Sequence, residues 1–166
     1  MSTLTVGTIS EIATDAGVSV DGVTLKDGGG TFTNTVKLQQ TEEKITISAI
    51  AATGTITFDT QTQAVLYYTT NASANWTVNV RGDSSNTLNS IMSTGETLTI
   101  VFLVTQGSTA YYNSTFQIDG SSVTPKWQGG SAPTAGTASG VDSYTYSIIK
   151  TADATFTVLA SLVDFS

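Results

Sequence analysis

Apolar and polar positions alternate with a period of two along most of the chain. Val18 and Val20, then Val23 and Leu25, alternate with Ser, Asp, Thr and Lys, and Asp21-Gly22 separates the two pairs. Phe32 to Leu38 continues the alternation with Thr. Ile45 and Ile47, Ile56 and Phe58, and the run Val65-Leu66-Tyr67-Tyr68 follow. Trp76, Val78 and Val80 share one face, as do Leu98, Ile100, Phe102 and Val104, with Val101 and Leu103 opposite. Tyr144, Tyr146 and Ile148, then Phe156, Val158, Ala160 and Leu162, form the last two rows. Short alternating runs of β-branched and aromatic residues, broken by Gly, Asn, Asp and Ser, predict strands. Tyr67 and Tyr68 are expected to face opposite ways. Only Asn86 to Met92 has helical spacing, with Leu88, Ile91 and Met92 behind a Ser85 cap. The expected class is all-β.

A boundary is predicted near residue 40. Residues 1–40 hold Gly28-Gly29-Gly30, read as a joint or tight turn, and no large aromatic except Phe32. Such a segment buries too little apolar surface to offset the entropy of ordering it alone. It is expected to be an extended arm whose Val18, Val20, Val23 and Leu25 pack against other copies. Residues 41–166 hold both Trp and all six Tyr. That length with nine or ten strands suits an antiparallel β-sandwich or jelly-roll. The turn-rich stretch from Gln128 to Gly136 is the longest expected loop.

Composition narrows the chemistry. The chain has 166 residues, of which 32 are Thr and 19 Ser, and only 11% are charged. Thr suits a pleated surface with one wet face. The absence of Cys removes disulfides, thiolate nucleophiles and thiolate metal sites, and the absence of His removes the Ser-His-Asp triad and imidazole ligands. A net charge of −7 with a single Arg argues against nucleic acid and anionic membrane surfaces as partners. No apolar run approaches the ~20 residues that span a bilayer, and the N-terminus has no basic region leading an apolar core, so neither insertion nor export is expected.

Glycoside hydrolysis would need two facing carboxyl groups. The candidates are Glu42, Glu43, Asp59, Glu96, Asp119, Asp142, Asp153 and Asp164, and most read as solvated acids at strand ends. No catalytic residue, metal ligand or cofactor is expected. Arg81-Gly82-Asp83 matches a cell-adhesion tripeptide but reads as a strand entering a turn. The sequons at Asn71, Asn75 and Asn113 are chance triplets in a Ser/Thr-rich chain. The remaining lever is aromatic: Tyr111, Tyr112 and Trp127 lie near turns, where an exposed ring stacks on a sugar.

Two segments carry a resemblance. The first is Thr8-Ile9-Ser10-Glu11-Ile12 followed by Gly17-Val18-Ser19-Val20-Asp21-Gly22-Val23-Thr24-Leu25-Lys26-Asp27-Gly28. It resembles a module recurrent in structural and tail-fibre-like proteins of marine tailed phages, especially cyanophages, which often carry Asp where Gly7 stands. The second runs from about Thr99 to the C-terminus through Thr105–Tyr111, Trp127–Pro133, Tyr144–Lys150 and Thr157–Ser161, and is similar to the β-rich end domain of the same proteins. The resemblance implies a non-enzymatic virion component, homotrimeric and assembled in the host cytoplasm. It would be a small fibre-like or adaptor part of the tail, contacting other virion proteins. A capsid decoration or head-fibre protein is the alternative, and a module binding host surface glycan is a third reading from another class.

Overall fold

The computed structural model describes residues 18–20, 23–26, 29–32 and 35–166. The Thr8–Ile12 part of the first module and the Asp21-Gly22 turn lie outside the described residues. The chain divides into two compact units, residues 1–41 and 42–166.

In the first unit, β1 (Val18–Val20), β2 (Val23–Lys26) and β3 (Gly29–Phe32) form an antiparallel meander in which β2 is central. Where an extended arm is expected, the described residues therefore pair with each other. Two residues of the predicted glycine joint, Gly29 and Gly30, lie within β3. The strand expected from Phe32 to Leu38 is not found over residues 35–38, which are irregular with Val36 and Leu38 exposed.

The second unit holds β4 (Ile45–Ala51), β5 (Gly54–Asp59), β6 (Val65–Thr70), β7 (Trp76–Arg81), β8 (Thr97–Thr105) and β9 (Asn113–Ile118). Then follow β10 (Ser121–Ser122), β11 (Lys126–Trp127), β12 (Val141–Ala152) and β13 (Thr155–Phe165). Two sheets result, a six-stranded one of order β11-β13-β12-β8-β6-β4 and a four-stranded one of order β10-β9-β7-β5.

From β4 to β9 the chain crosses to the other sheet at every step. Each strand therefore returns beside its predecessor but one, running the same way. β4, β6 and β8 are mutually parallel, and so are β5, β7 and β9. β11 lies parallel to β13. In this unit antiparallel pairing is confined to β8-β12-β13 and β9-β10. The expectation of antiparallel sheets is thus corrected to mixed ones, within an all-β body. Alternation fixes which face a side chain takes, but not the direction of the neighbouring strand.

The inner faces of the two sheets meet in one core. Trp76 of β7 lies 5.8 Å from the Phe102 ring of β8, and Phe116 of β9 lies 4.5 Å from that of Tyr146 of β12. Tyr68 turns inward onto Phe102, while Tyr67 takes the outer face, where its hydroxyl accepts a hydrogen bond from Thr105 Oγ1. The predicted helix is present as α1 (Leu88–Ile91), capped by Thr87 instead of Ser85: its Oγ1 accepts from Ser90 N–H at 3.0 Å.

Candidate functional site

Trp127 joins the rim of the six-stranded sheet to the loop that follows it. β11 is only two residues long, and it ends because Gly129 and Gly130 take left-handed backbone angles, φ 77° and 84°, that turn the chain away. Half-buried, the indole packs edge-on against Tyr144 and Tyr146, with ring centroids at 6.3 and 6.1 Å. The residue also lines three concavities. One of about 400 Å³ is bounded by Lys126, Thr145, Ser147 and Leu159. A second of about 650 Å³ lies towards Ser131, Pro133 and Asp164. A third of about 60 Å³ is shared with Tyr112 and Pro125. An aromatic wall with a hydroxyl, amide and carboxylate rim can stack on one face of a sugar and bond its hydroxyls.

Of the three aromatics named from the sequence, the structure brings Trp127 and Tyr112 together. Tyr111 lines none of these concavities. Its ring packs against the core, and its backbone is held at both ends by one side chain: Gln106 Nε2 donates to Tyr111 O at 2.7 Å, and Tyr111 N–H donates to Gln106 Oε1 at 3.0 Å.

Gln106 belongs to a closed polar knot that sequence reasoning missed. Its Nε2 also donates to Asp142 Oδ2 at 2.8 Å, and Thr137 N–H donates to Asp142 Oδ1 at 3.1 Å. Asp142 stands at the start of β12, as a strand-end acid should, but it has no solvent exposure, which corrects its reading as a solvated one. Burial pushes its carboxyl up; the Gln106 and Thr137 hydrogen bonds oppose the rise, and Asp164 across the strand pair adds to it. The knot ties the 106–111 turn and the 131–140 loop to the sheet. Gly136 closes it, since a Cβ there would collide with Tyr111 O and Asp142 Oδ2.

Asp59, Asp119 and Asp153 have structural partners as well. Asp59 pairs with Arg81 directly opposite on β7, with Nε 2.6 Å from Oδ1. Asp119 accepts from Leu88 N–H at 2.7 Å and Asn89 N–H at 3.0 Å, binding the first turn of α1. At the other end of that turn, buried Lys150 donates through Nζ to Asn89 O at 2.6 Å and Met92 O at 2.8 Å. Asp153 accepts from Asn89 Nδ2 at 3.0 Å. Among the described residues, no group of three or more carboxylates is placed to hold a metal ion.

The Arg81-Gly82-Asp83 tripeptide is absorbed into a turn. Arg81 is occupied by Asp59, and Asp83 Oδ1 accepts from Ser85 and Asn86 N–H at 2.7 and 2.8 Å. The Ser85 amide bond holds the Asp83 carboxyl below its ordinary value. The Asn113 sequon is closed: the side chain is buried, donating to Trp76 O and Thr115 O and accepting from the Tyr146 hydroxyl at 3.0 Å. Burial raises both the Tyr144 and Tyr146 phenols, keeping the Tyr146 proton available to that bond.

In the first unit, the register sets Val18 opposite Leu25 and Val20 opposite Val23, with Phe32 on the far side of Val23. These positions fall on one face of the meander, and the ring of Phe32 is half exposed. The surroundings of the Val18, Val20, Val23 and Leu25 side chains lie outside the described residues. No helix among the described residues is long and apolar enough to cross a membrane. No family model matches the chain, and comparison with curated proteins and with solved structures gives no significant match.

Proposed function

We propose that this chain is a non-enzymatic structural component of a tailed-phage virion, a small trimeric fibre-like or adaptor part of the tail whose second unit is a displayed β-sandwich. The observation that carries the reading is the register of the first unit. Val18, Val20, Val23 and Leu25, all within the phage-like module, fall on one face of a three-stranded meander. A sheet that small is marginal by itself and gains stability by burying that face against copies of itself. At ~25 cal/mol per Å² each buried Val or Leu contributes roughly 1.5–3 kcal/mol. A second support is the use made of the acids: Asp59, Asp119 and Asp142 are committed to structure.

Sedimentation equilibrium of the full chain tests the assembly. A mass of three chains is expected, and Val20→Asp with Leu25→Asp should lower it. An unchanged mass in that variant removes the meander as the trimer contact. Gold-labelled antibody against the chain tests location on intact phage particles. Labelling at the tail supports the proposal, labelling over the head favours capsid decoration, and particles without label overturn both.

The aromatic wall at Trp127 favours one further reading, a module that binds host surface glycan. Its concavities have the polar rim such a ligand needs.

A further inference from the structure

The concavity bounded by Lys126 differs in charge from the rest of the chain. Register sets Lys126 beside Leu159 and Leu159 beside Ser147, one row across β11, β13 and β12. Ser161 and Thr145 pair in the next row of the same face. β11 stops after Trp127, so the sheet loses its edge strand at Ser161, and Gln128 lines the concavity there. The lining offers one ammonium, three hydroxyls, one carboxamide and the Leu159 side chain, which is 47% exposed. No Asp or Glu lines it, in a chain with 13 acids and a net charge of −7. The larger concavity has Asp164 on its rim instead. Among the described residues Asp59–Arg81 is the only ion pair, and Lys150 is buried on two carbonyls. Lys126 is exposed and has no carboxylate partner among them.

We infer that this concavity takes a sugar that carries a carboxylate, one acidic residue within a longer saccharide. The carboxylate is the partner of the Lys126 ammonium. Thr145, Ser147 and Ser161 each present a hydroxyl that both donates and accepts, as sugar hydroxyls do, and Gln128 adds an amide with both capacities. Leu159 supplies the apolar patch for the C–H face of the ring. The volume of about 400 Å³ lies within the range of small-molecule sites, roughly 300–1,000 Å³. Charge also sets an upper limit on the ligand. A densely sulfated chain or a nucleic acid would meet one lysine on a body of net charge −7 and be repelled. A single carboxylate in an otherwise neutral saccharide is matched by a single ammonium.

The assignment deepens the glycan reading and rests on it, adding which sugars are preferred and which residue selects them. Calorimetric titration of the full chain tests it, with oligosaccharides ending in glucuronate, galacturonate or N-acetylneuraminate, each beside its neutral methyl ester. At about 20 mM salt, where screening is weak, at least one acid should bind more tightly than its ester. The ratio should be about 2- to 5-fold, the range of one exposed ion pair. Lys126→Gln should bring it to one and leave the affinity for the ester unchanged, and Lys126→Glu should invert it. Lys126 is exposed, so the melting temperature of both variants should stay close to that of the wild type. Raising the salt to about 0.5 M should also remove the preference. Equal affinity for every acid and its ester in the wild type overturns the carboxylate assignment and leaves the glycan reading standing. A preference that survives Lys126→Gln does the same, because the acid then sits elsewhere. Silence towards acids and esters alike at millimolar concentration overturns both.

Discussion

Gln106 Nε2 and Asp142 Oδ2 meet at 2.8 Å in the interior, joining the residue that follows β8 to the start of the neighbouring strand β12. The amide is the strongest opponent of the burial that raises the carboxyl. Because the folded value lies above the unfolded one, near 3.9, the folded chain holds this proton more tightly. The contribution of Asp142 to stability is then full below the unfolded value and is lost as pH rises through the raised folded one. Thermal melts of the wild type and Asp142→Asn between about pH 3.5 and 7 check the sign. The melting temperature of the variant, relative to wild type, should climb by about 2–4 °C across that range. An offset independent of pH would show that Asp142 is not titrating in the folded chain.

Gly136 tests the same knot sterically. A methyl group there meets Tyr111 O, Asp142 Oδ2 and Gln106 Nε2 together, and none of the three can move without breaking a hydrogen bond. Gly136→Ala should cost about 2–4 kcal/mol in urea unfolding. Gly95→Ala is the comparison: its Cβ meets nothing, and only its φ of 92° resists, so a loss of about 1 kcal/mol is expected. Equal losses at the two glycines would argue against the knot.

Much of the second unit is legible in the sequence, for reasons that also mark the limit. Alternation at Trp76-Val78-Val80 and Tyr144-Tyr146-Ile148 names the inward face correctly, because burial follows the pleat. It does not name neighbours, so the parallel pairing of β4, β6 and β8 stays hidden until the chain is seen crossing between sheets. β9 escapes notice because Asn113-Ser114-Thr115 opens it with polar residues, leaving Phe116 and Ile118 as a short signal. Asp142 and Gln106 are missed because a carboxylate or amide reads as surface unless its partners, here 36 residues apart, are known.

Helix α1 is too short to persist alone and is clamped from both ends. Asp119 takes two amides at its start, and Lys150 takes two carbonyls at its end. Asp119→Ala and Lys150→Met should each lose about 1.5–3 kcal/mol, the range for hydrogen bonds to charged groups. The double variant should lose less than the sum, because either change alone already releases the turn. Strict additivity in chemical denaturation would mean that the two clamps act on separate elements.

Trp127 and Trp76 are the two tryptophans of the chain, and they occupy opposite environments. Trp76 is sealed in the core with its indole N–H lacking an acceptor, whereas Trp127 is only partly buried, beside the three concavities. Trp76→Phe removes an unpaired donor together with some packing, so its cost should be about 1–2 kcal/mol, below the usual loss for truncating a buried tryptophan. That variant leaves Trp127 as the sole indole reporter. If the wall stacks on sugar, titration with oligosaccharides should blue-shift its emission, because a sugar face replaces water against the ring. Adding Tyr112→Ala should weaken the response by about 3- to 10-fold, since an aromatic contact is worth ~0.5–1.5 kcal/mol. Tyr111→Ala should leave the titration midpoint unchanged, because that ring faces the core instead of the concavities. A spectrum that does not move across neutral and acidic glycans at millimolar concentration removes the glycan reading. The pocket at Trp127 would then be a by-product of how a two-residue strand ends against β13.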